Sequence, residues 1–174
     1  RTAPCYDRLK SLGAVFGQKF GWERANWFAP AGTPQEDHWS FRRSGWFEHV
    51  GNEVRHTAAH AGLLDMTAFA KCRISGPGAE AFLDRLTANK LPKGIGRVSL
   101  SHALTERGGV HSEYTIQRES ADSFYVVSAG AGQRLDHDWI KKHMPDDGSV
   151  RFDNLTNSIG VLVLAGPKSR DILQ

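Results

Sequence analysis

The sequence predicts an α+β domain with antiparallel or mixed sheets and its helices on one side. Three observations indicate this fold class. Strand-like segments follow one another around a tight turn at Glu106–Gly109, helical patterns lie between strands, and one strand–turn–helix pattern occurs twice. Sequential strands joined by short turns are typical of α+β folds rather than of doubly wound parallel sheets. We therefore expect two ferredoxin-like halves.

The N-terminal segment reads as a connecting arm, residues 1–47, ahead of a compact domain, residues 48–174. A short helix is predicted over Tyr6–Phe16, and the rest of the arm has little periodicity. Four of the five tryptophans lie here, among proline and glycine. We expect these aromatic rings to pack against neighbouring protein. An aromatic cage for a methylammonium group is the alternative, since such rings attract quaternary cations.

The domain begins with a helix followed by a strand. Val50, Val54, Ala58 and Ala61 recur at helical spacing between Glu48 and Leu63, and Leu64–Ile74 then reads as one strand. The sequence Ser-Gly-Pro-Gly marks a turn after it, and an apolar helical face follows at Ala81, Phe82, Leu83 and Leu86.

The same device recurs at Val161–Leu173, where a strand meets Ala-Gly-Pro and a new helix. The segments Ile74–Leu83 and Leu164–Leu173 align without a gap. We interpret them as an internal repeat. Between the copies we predict strands at Ser99–Leu104, Val110–Gln117 and Ser123–Ser128, and a helix at Leu135–His143.

Glu113 is the candidate functional acid. On the strand after the Glu-Arg-Gly-Gly turn, Val110, Ser112, Tyr114 and Ile116 face one way, while His111, Glu113, Thr115 and Gln117 face the other. A carboxylate is thereby carried on a rigid element. The ordinary alternative is a solvated strand residue.

Composition excludes several classes of protein. The chain has 174 residues, is 40% hydrophobic and carries a net charge of +3 with interspersed signs, so no basic stripe predicts nucleic-acid binding. Cys5 and Cys72 lie far apart, and His102, His111 and His137 lack ligand spacing, so we expect neither a metal site nor a disulfide. No apolar run approaches bilayer length, and no dinucleotide-binding fingerprint occurs.

The chain resembles the folate-binding aminomethyltransferase family of the glycine-cleavage T-protein. The segments that carry the resemblance are Gly108–Ile116 with Phe124–Ser128 about ten residues later, Glu53–Arg55, Ala61–Lys71, Ile74–Pro77 and Ile159–Pro167. Two N-terminal segments, Tyr6–Leu9 and Gly13–Pro30, are similar to a branch in which this domain forms the C-terminal half of flavin-dependent dimethylglycine and sarcosine dehydrogenases.

The resemblance implies that tetrahydrofolate binds here and that FAD binds outside these residues. Glu113 would be the catalytic acid beside the folate amines. The family usually carries two aspartates after Gly-Gly, whereas Ser112 and Glu113 stand here. By motif register the folate would also contact Phe69, Leu100 and Val126 as apolar walls and Ser128 as a hydrogen-bonding group. Core packing is the alternative for these four.

The implied function is capture of a one-carbon unit as 5,10-methylenetetrahydrofolate within an N-methyl amine dehydrogenase. A stand-alone transferase or demethylase and a non-catalytic folate-binding module are alternatives. The expected partners are folate, a methylated amine, and a missing flavin domain and C-terminal domain of the same chain, with no nucleic acid or membrane. A bacterial parent would act in the cytoplasm and a eukaryotic one in the mitochondrial matrix. We expect this piece alone to be inactive and to bind folate weakly or not at all.

Overall fold

The computed structural model describes all 174 residues, and their contacts form two compact units. The N-terminal unit comprises Arg1–Ala68 and Gly160–Gln174, and the sheet unit comprises Phe69–Ile159. The boundary expected between residues 47 and 48 therefore does not coincide with the boundary between the units. None of the helices is both long and apolar enough to cross a bilayer.

The N-terminal unit opens with a short helix and a hairpin. Helix α1 spans Tyr6–Ser11, and strands β1 (Ala14–Lys19) and β2 (Trp22–Phe28) pair antiparallel. The predicted helix through Phe16 is too long, because Gly13 adopts φ +90° and lies against the Ala29 carbonyl, which ends the helical path. The hairpin was not predicted from the sequence.

The tryptophans of this region differ in their surroundings. Trp22 and Trp27 are buried, and Trp27 packs with Val15 and Ala29. The Trp27 indole nitrogen donates to Asp37 Oδ1 at 2.9 Å. Trp39 is exposed. Part of the expected arm is therefore ordinary core.

The rest of the unit contains α2 (Phe47–Ala59), β3 (Gly62–Asp65), β9 (Leu162–Ala165) and α5 (Ser169–Leu173), with β3 and β9 antiparallel. The single strand predicted over Leu64–Ile74 is in fact two strands in different sheets. The chain turns after β3, where the Thr67 amide donates to Asp65 Oδ1 at 2.9 Å. Such side-chain bonding two residues on competes with a continuing strand.

The sheet unit is a five-stranded antiparallel sheet. Its elements are β4 (Ala70–Ser75), α3 (Ala79–Leu86), β5 (Val98–Leu104), β6 (Val110–Arg118), β7 (Ser123–Ser128), a 3₁₀ turn (Gly130–Gly132), α4 (Gln133–His143) and β8 (Arg151–Asn154). The strand order is β5-β6-β7-β4-β8. Without edge strand β5 this is a ferredoxin-like βαββαβ arrangement, which corresponds to one of the two predicted halves. The N-terminal unit contains two two-stranded sheets and no second arrangement of this kind. Strand β8 was not predicted.

Both helices of this unit share in the core on one side of the sheet. Phe82 and Leu83 of α3 and Ile140 of α4 are buried with Ile74 and Ile116 of the sheet. The inward residues of the strands alternate with residues on the opposite face. That opposite face carries the candidate site.

The strand–turn–helix repeat is confirmed in its backbone conformation. Gly76 follows β4 with φ +114° and Gly166 follows β9 with φ +109°. A Cβ would lie 2.4 Å from the Ser149 carbonyl oxygen at the first position and 2.5 Å from the Thr57 carbonyl oxygen at the second. Only glycine fits both the angle and the space.

Candidate functional site

The turn before β6 has the predicted hairpin chemistry. Thr105 accepts the Gly108 amide at 2.8 Å through its carbonyl and the Gly109 amide at 3.1 Å through its hydroxyl. Gly108 has φ +78°, a conformation that favours glycine. This turn fixes which residue of β5 stands opposite each residue of β6.

The predicted alternation along β6 is confirmed at its centre. Ser112, Tyr114 and Ile116 are buried, while Glu113 and Thr115 are exposed. His111 departs from the expected face. The ladder slips between Ala103 and Leu104, leaving His111 as an extra residue, and its ring stacks on Trp139 of α4 at 3.9 Å between centroids.

We call the surface formed by Leu100, His102, Glu113, Thr115, Tyr125 and Val127 the Glu113 face. Glu113 stands directly opposite His102 on β5. His102 Nε2 lies 3.1 Å from Glu113 Oε2, and the Glu113 side chain is 62% exposed. The Glu113 carboxylate therefore contacts His102 through one oxygen while it faces solvent.

Apolar and aromatic groups adjoin this carboxylate. Leu100, Thr115 and Val127 form one row across the sheet, next to the His102 and Glu113 pair. Tyr125 lies one row further on, where burial, followed by the charge of Glu119, raises its pKa. The face therefore combines a charge with surfaces on which a planar ring can pack.

The other glutamate near this side of the sheet is already paired. Arg73 donates from Nε and Nη2 to the two oxygens of Glu119 at 2.6 and 2.8 Å, and Ser123 adds a third bond at 2.9 Å. The hydrogen bonds from Arg73 lower the pKa of Glu119. Both of its oxygens are engaged, so Glu113 is the better candidate for a ligand.

A buried polar cluster lies on the helix side of β6. Ser112 Oγ donates to Asp136 Oδ1 at 2.5 Å, and His111 Nδ1 lies 2.7 Å from the same hydroxyl. Burial, followed by the charge of Asp136, raises the pKa of Cys72 to about 12. At the position where the resemblance leads us to expect a first acid, Ser112 contacts a carboxylate that comes from α4. Sequence reasoning could not find it, because Asp136 is 24 residues away.

The predicted folate residues are divided between two faces. Leu100 lies with Glu113, whereas Val126 and Ser128 are buried on the helix side. Phe69 immediately precedes β4, and its carbonyl accepts the Lys71 ammonium at 2.9 Å. A folate site that included both Val126 and Glu113 would therefore need side chains from opposite faces of one sheet. Neither Tyr125 nor Val127 was among the predicted residues, although strand parity, once β6 and β7 are paired, indicates both.

The residues of the Glu113 face fit the chemistry of a folate. A pterin is flat and carries amine nitrogens, so it needs apolar and aromatic contacts together with an anionic acceptor. Leu100, Val127 and Tyr125 offer the first, and Glu113 offers the second. A separate apolar pocket of about 920 Å³ in the N-terminal unit, lined by α2, β3 and β9, contains none of the predicted site residues.

Residues 5–174 match the family model described as the GCVT N-terminal domain. Mitochondrial dimethylglycine dehydrogenase of Mus musculus is 36% identical over 100% of this chain, and the 4-methylaminobutanoate oxidase (formaldehyde-forming) of Paenarthrobacter nicotinovorans is 32% identical over 99%. The chain spans only 20% and 21% of their lengths.

The fold also matches a solved structure. The glycine cleavage system aminomethyltransferase T of Bartonella henselae aligns with a TM-score of 0.76 and 24% identity, over 99% of this chain and 42% of that one. At this level of sequence identity, the match supports a shared fold and nothing further. The family match covers nearly the whole chain, and the chain therefore belongs to the GCVT N-terminal domain family.

Proposed function

We propose that this chain is the tetrahydrofolate-binding, aminomethyltransferase-like part of a longer flavin-dependent N-methyl amine dehydrogenase. One observation carries the proposal. Glu113, at the position of the family's acid, presents an exposed carboxylate beside apolar and aromatic groups on a rigid sheet. The similarity to dimethylglycine dehydrogenase supports the flavin-dependent parent, whose FAD would bind outside these residues.

Tetrahydrofolate, when bound, supplies the amine nitrogens that accept the one-carbon unit. Glu113 would accept a hydrogen bond from the amine and orient it toward the incoming carbon. Glu113 would take up the proton that the folate amine releases as the new carbon–nitrogen bond forms. Its negative charge also stabilises the positive charge that develops during transfer. The departing amine would leave with the electron pair of the carbon–nitrogen bond that breaks, and it would take up the proton held by Glu113. The bond from the second folate nitrogen would replace the broken one, and the proton of that nitrogen would also go to the departing amine.

Leu100 and Val127 would exclude water from one side of the reacting nitrogen. This matters because a free iminium is hydrolysed to formaldehyde and the demethylated amine. A ring packed on these side chains lowers the local dielectric, which strengthens the interaction between Glu113 and the developing charge. Binding and charge stabilisation therefore depend on the same face.

A second candidate follows from the relative whose name states that it forms formaldehyde. In that case the parent of this chain would release the one-carbon unit into water, and the Glu113 face would bind no folate during turnover. Ser112, in place of the usual first acid, is compatible with this candidate. It predicts the same amine oxidation with a different product.

Turnover of the full-length parent with and without tetrahydrofolate separates the two. Dimethylglycine, sarcosine and 4-methylaminobutanoate are oxidised in parallel, and amine consumption, free formaldehyde and 5,10-methylenetetrahydrofolate are quantified. We expect that tetrahydrofolate lowers the amount of free formaldehyde, and that methylenetetrahydrofolate forms faster than formaldehyde and tetrahydrofolate combine in solution. Formaldehyde release that tetrahydrofolate leaves unchanged, apart from this background, would refute the proposal and favour the second candidate.

A further inference from the structure

We propose that His102 is a positioning residue for Glu113: it fixes one carboxylate oxygen and leaves the other for the folate amine. The inference rests on the proposed function. It begins from the contact between His102 Nε2 and Glu113 Oε2 at 3.1 Å. An ionised carboxylate can only accept, so the imidazole N–H is the donor.

The backbone gives this pair a close and fixed geometry. The His102 carbonyl accepts the Ala88 amide at 2.9 Å on the outer side of β5. Because both backbone polar groups of a strand residue point to the same side, His102 and Glu113 form a non-hydrogen-bonded pair, in which opposing side chains lie closest. The imidazole therefore stands next to the carboxylate.

Strand β5 is an edge strand, but residues 87–89 contact it at positions on both sides of His102. Asn89 donates its side-chain amide to the Leu100 carbonyl at 2.8 Å, and its backbone amide to the Ser101 hydroxyl at 2.9 Å. Thr87 forms an isolated bridge with Ala103. These contacts restrict movement of His102 relative to β6.

An imidazole contacts a carboxylate differently from a guanidinium, as a comparison with the Arg73–Glu119 ion pair shows. Arg73 engages both oxygens of Glu119, so that carboxylate has little left to offer. His102 presents one nitrogen to one oxygen. Glu113 is thus oriented without losing its second oxygen. A glutamate also has one more rotatable bond than an aspartate. The contact with His102 already restricts the Glu113 side chain, so less conformational entropy is lost when the folate binds.

The test uses the full-length parent with two matched substitutions. His102→Phe keeps a ring but removes the donor, and His102→Gln keeps a donor. We expect His102→Phe to lower the rate constant for methylenetetrahydrofolate formation about tenfold, a typical loss for a hydrogen bond to a charged group. Amine oxidation should be unchanged. His102→Gln should recover most of the loss, and His102→Phe should add little to Glu113→Gln, since both act through one carboxylate.

Two measurements do not depend on turnover. Calorimetry should give a dissociation constant for tetrahydrofolate within about threefold of the parent value in His102→Phe, because positioning acts mainly on the transferring state. In the folate-free protein, ¹⁵N spectra of the histidines should show the His102 resonances moving in Glu113→Gln. His60, exposed in the N-terminal unit, is the control: its resonances should stay in place, and His60→Gln should capture normally.

Three outcomes would overturn the inference. His102→Phe could capture at the parent rate while Glu113→Gln fails, which would leave the proposed function intact. The His102 resonances could stay in place in Glu113→Gln, which would show that the contact between His102 and Glu113 is absent. Finally, the unsubstituted parent could fail to capture at all, which would remove the proposed function together with this inference.

Discussion

Ser112 on β6 donates a hydrogen bond of 2.5 Å to the buried carboxylate of Asp136 on α4. This bond joins the strand that carries Glu113 to the helix behind it. Both residues are buried, with 7% and 5% of their surfaces exposed, so water cannot replace the bond. Where the resemblance leads us to expect an acid, this chain has a serine that donates to the Asp136 carboxylate.

We predict that Ser112→Asp destabilises the protein. Two buried carboxylates would then stand side by side, and one of them must take up a proton for the pair to be tolerated. We expect a loss of about 3 kcal/mol in the free energy of unfolding near neutral pH, against about 1 to 2 kcal/mol for Ser112→Ala, which only removes a donor. Urea unfolding measures both.

The pH dependence separates repulsion from a poor fit. A carboxyl whose pKa is raised in the folded state binds its proton more tightly there than in the unfolded chain, so lowering the pH stabilises the fold. The deficit of Ser112→Asp should therefore shrink as the pH falls from about 7 to about 5, and by more than that of Ser112→Ala, which removes one hydrogen bond to Asp136 but adds no second carboxyl. A deficit of Ser112→Asp that is the same at both pH values would argue against repulsion.

The turn glycine of the first repeat offers a second prediction. Gly76→Ala should lower the free energy of unfolding by about 3 kcal/mol, because the new methyl group would meet the Ser149 carbonyl oxygen and the φ of +114° is unfavourable for alanine. Gly148 also has a positive φ, +76°, but open space around its Cβ position. Gly148→Ala should cost only about 1 kcal/mol. Equal losses would mean that the clash is relieved by small shifts.

Sequence reasoning succeeded where a pattern is local. The Ser123–Ser128 strand, the turn before β6, and the Gly76 and Gly166 repeat all follow from alternation or from the properties of glycine. It failed at residues 64–74, which were predicted to be one strand although the Asp65 side chain accepts the Thr67 amide and the chain turns there. Alternation could not identify the extra residue at His111, because a bulge depends on how the partner strand is paired.

The candidate site shows the same division. The face on which Glu113 lies could be predicted from the alternation along its own strand, whereas its choice as the acid came from the resemblance. Its partner His102 could not, since the spacing between two strands on either side of a turn depends on the register that the turn imposes. Val126 and Ser128 were chosen by motif register, and parity places their neighbour Val127 on the Glu113 face instead.

Substitutions at these two adjacent valines test which side of β7 meets folate. Val127→Ala removes two methyl groups from the Glu113 face and should weaken tetrahydrofolate binding by the parent about tenfold, from the apolar surface lost. Val126→Ala removes the same groups from the core and should lower the free energy of unfolding by about 2 kcal/mol with unchanged affinity. Calorimetry and urea unfolding of both variants decide. The reverse pattern would place folate on the helix side, as motif register predicts.

Glu113→Gln in the full-length parent is the central test of mechanism. The substitution keeps the size of the side chain but removes the charge that stabilises transfer and the oxygen that takes up the proton. Such a loss typically lowers a rate about 10²-fold or more. Under the proposed function, the amine is oxidised in the flavin domain outside these residues, so flavin reduction should stay near the parent rate. Methylenetetrahydrofolate should therefore fall while free formaldehyde rises, at equal amine consumption.

Glu113→Asp is the matched control for charge. It retains the carboxylate and introduces the aspartate that the resemblance leads us to expect, so its effect should be milder than that of Glu113→Gln. Any loss that remains would reflect the shorter reach across the pair with His102, whose nitrogen lies 3.1 Å from the present carboxylate oxygen. Product analysis by chromatography at matched turnover distinguishes the two variants. If Glu113→Gln forms as much methylenetetrahydrofolate as the parent, Glu113 is only a solvated strand residue, since a group that carries charge in the transferring state cannot be neutralised without cost.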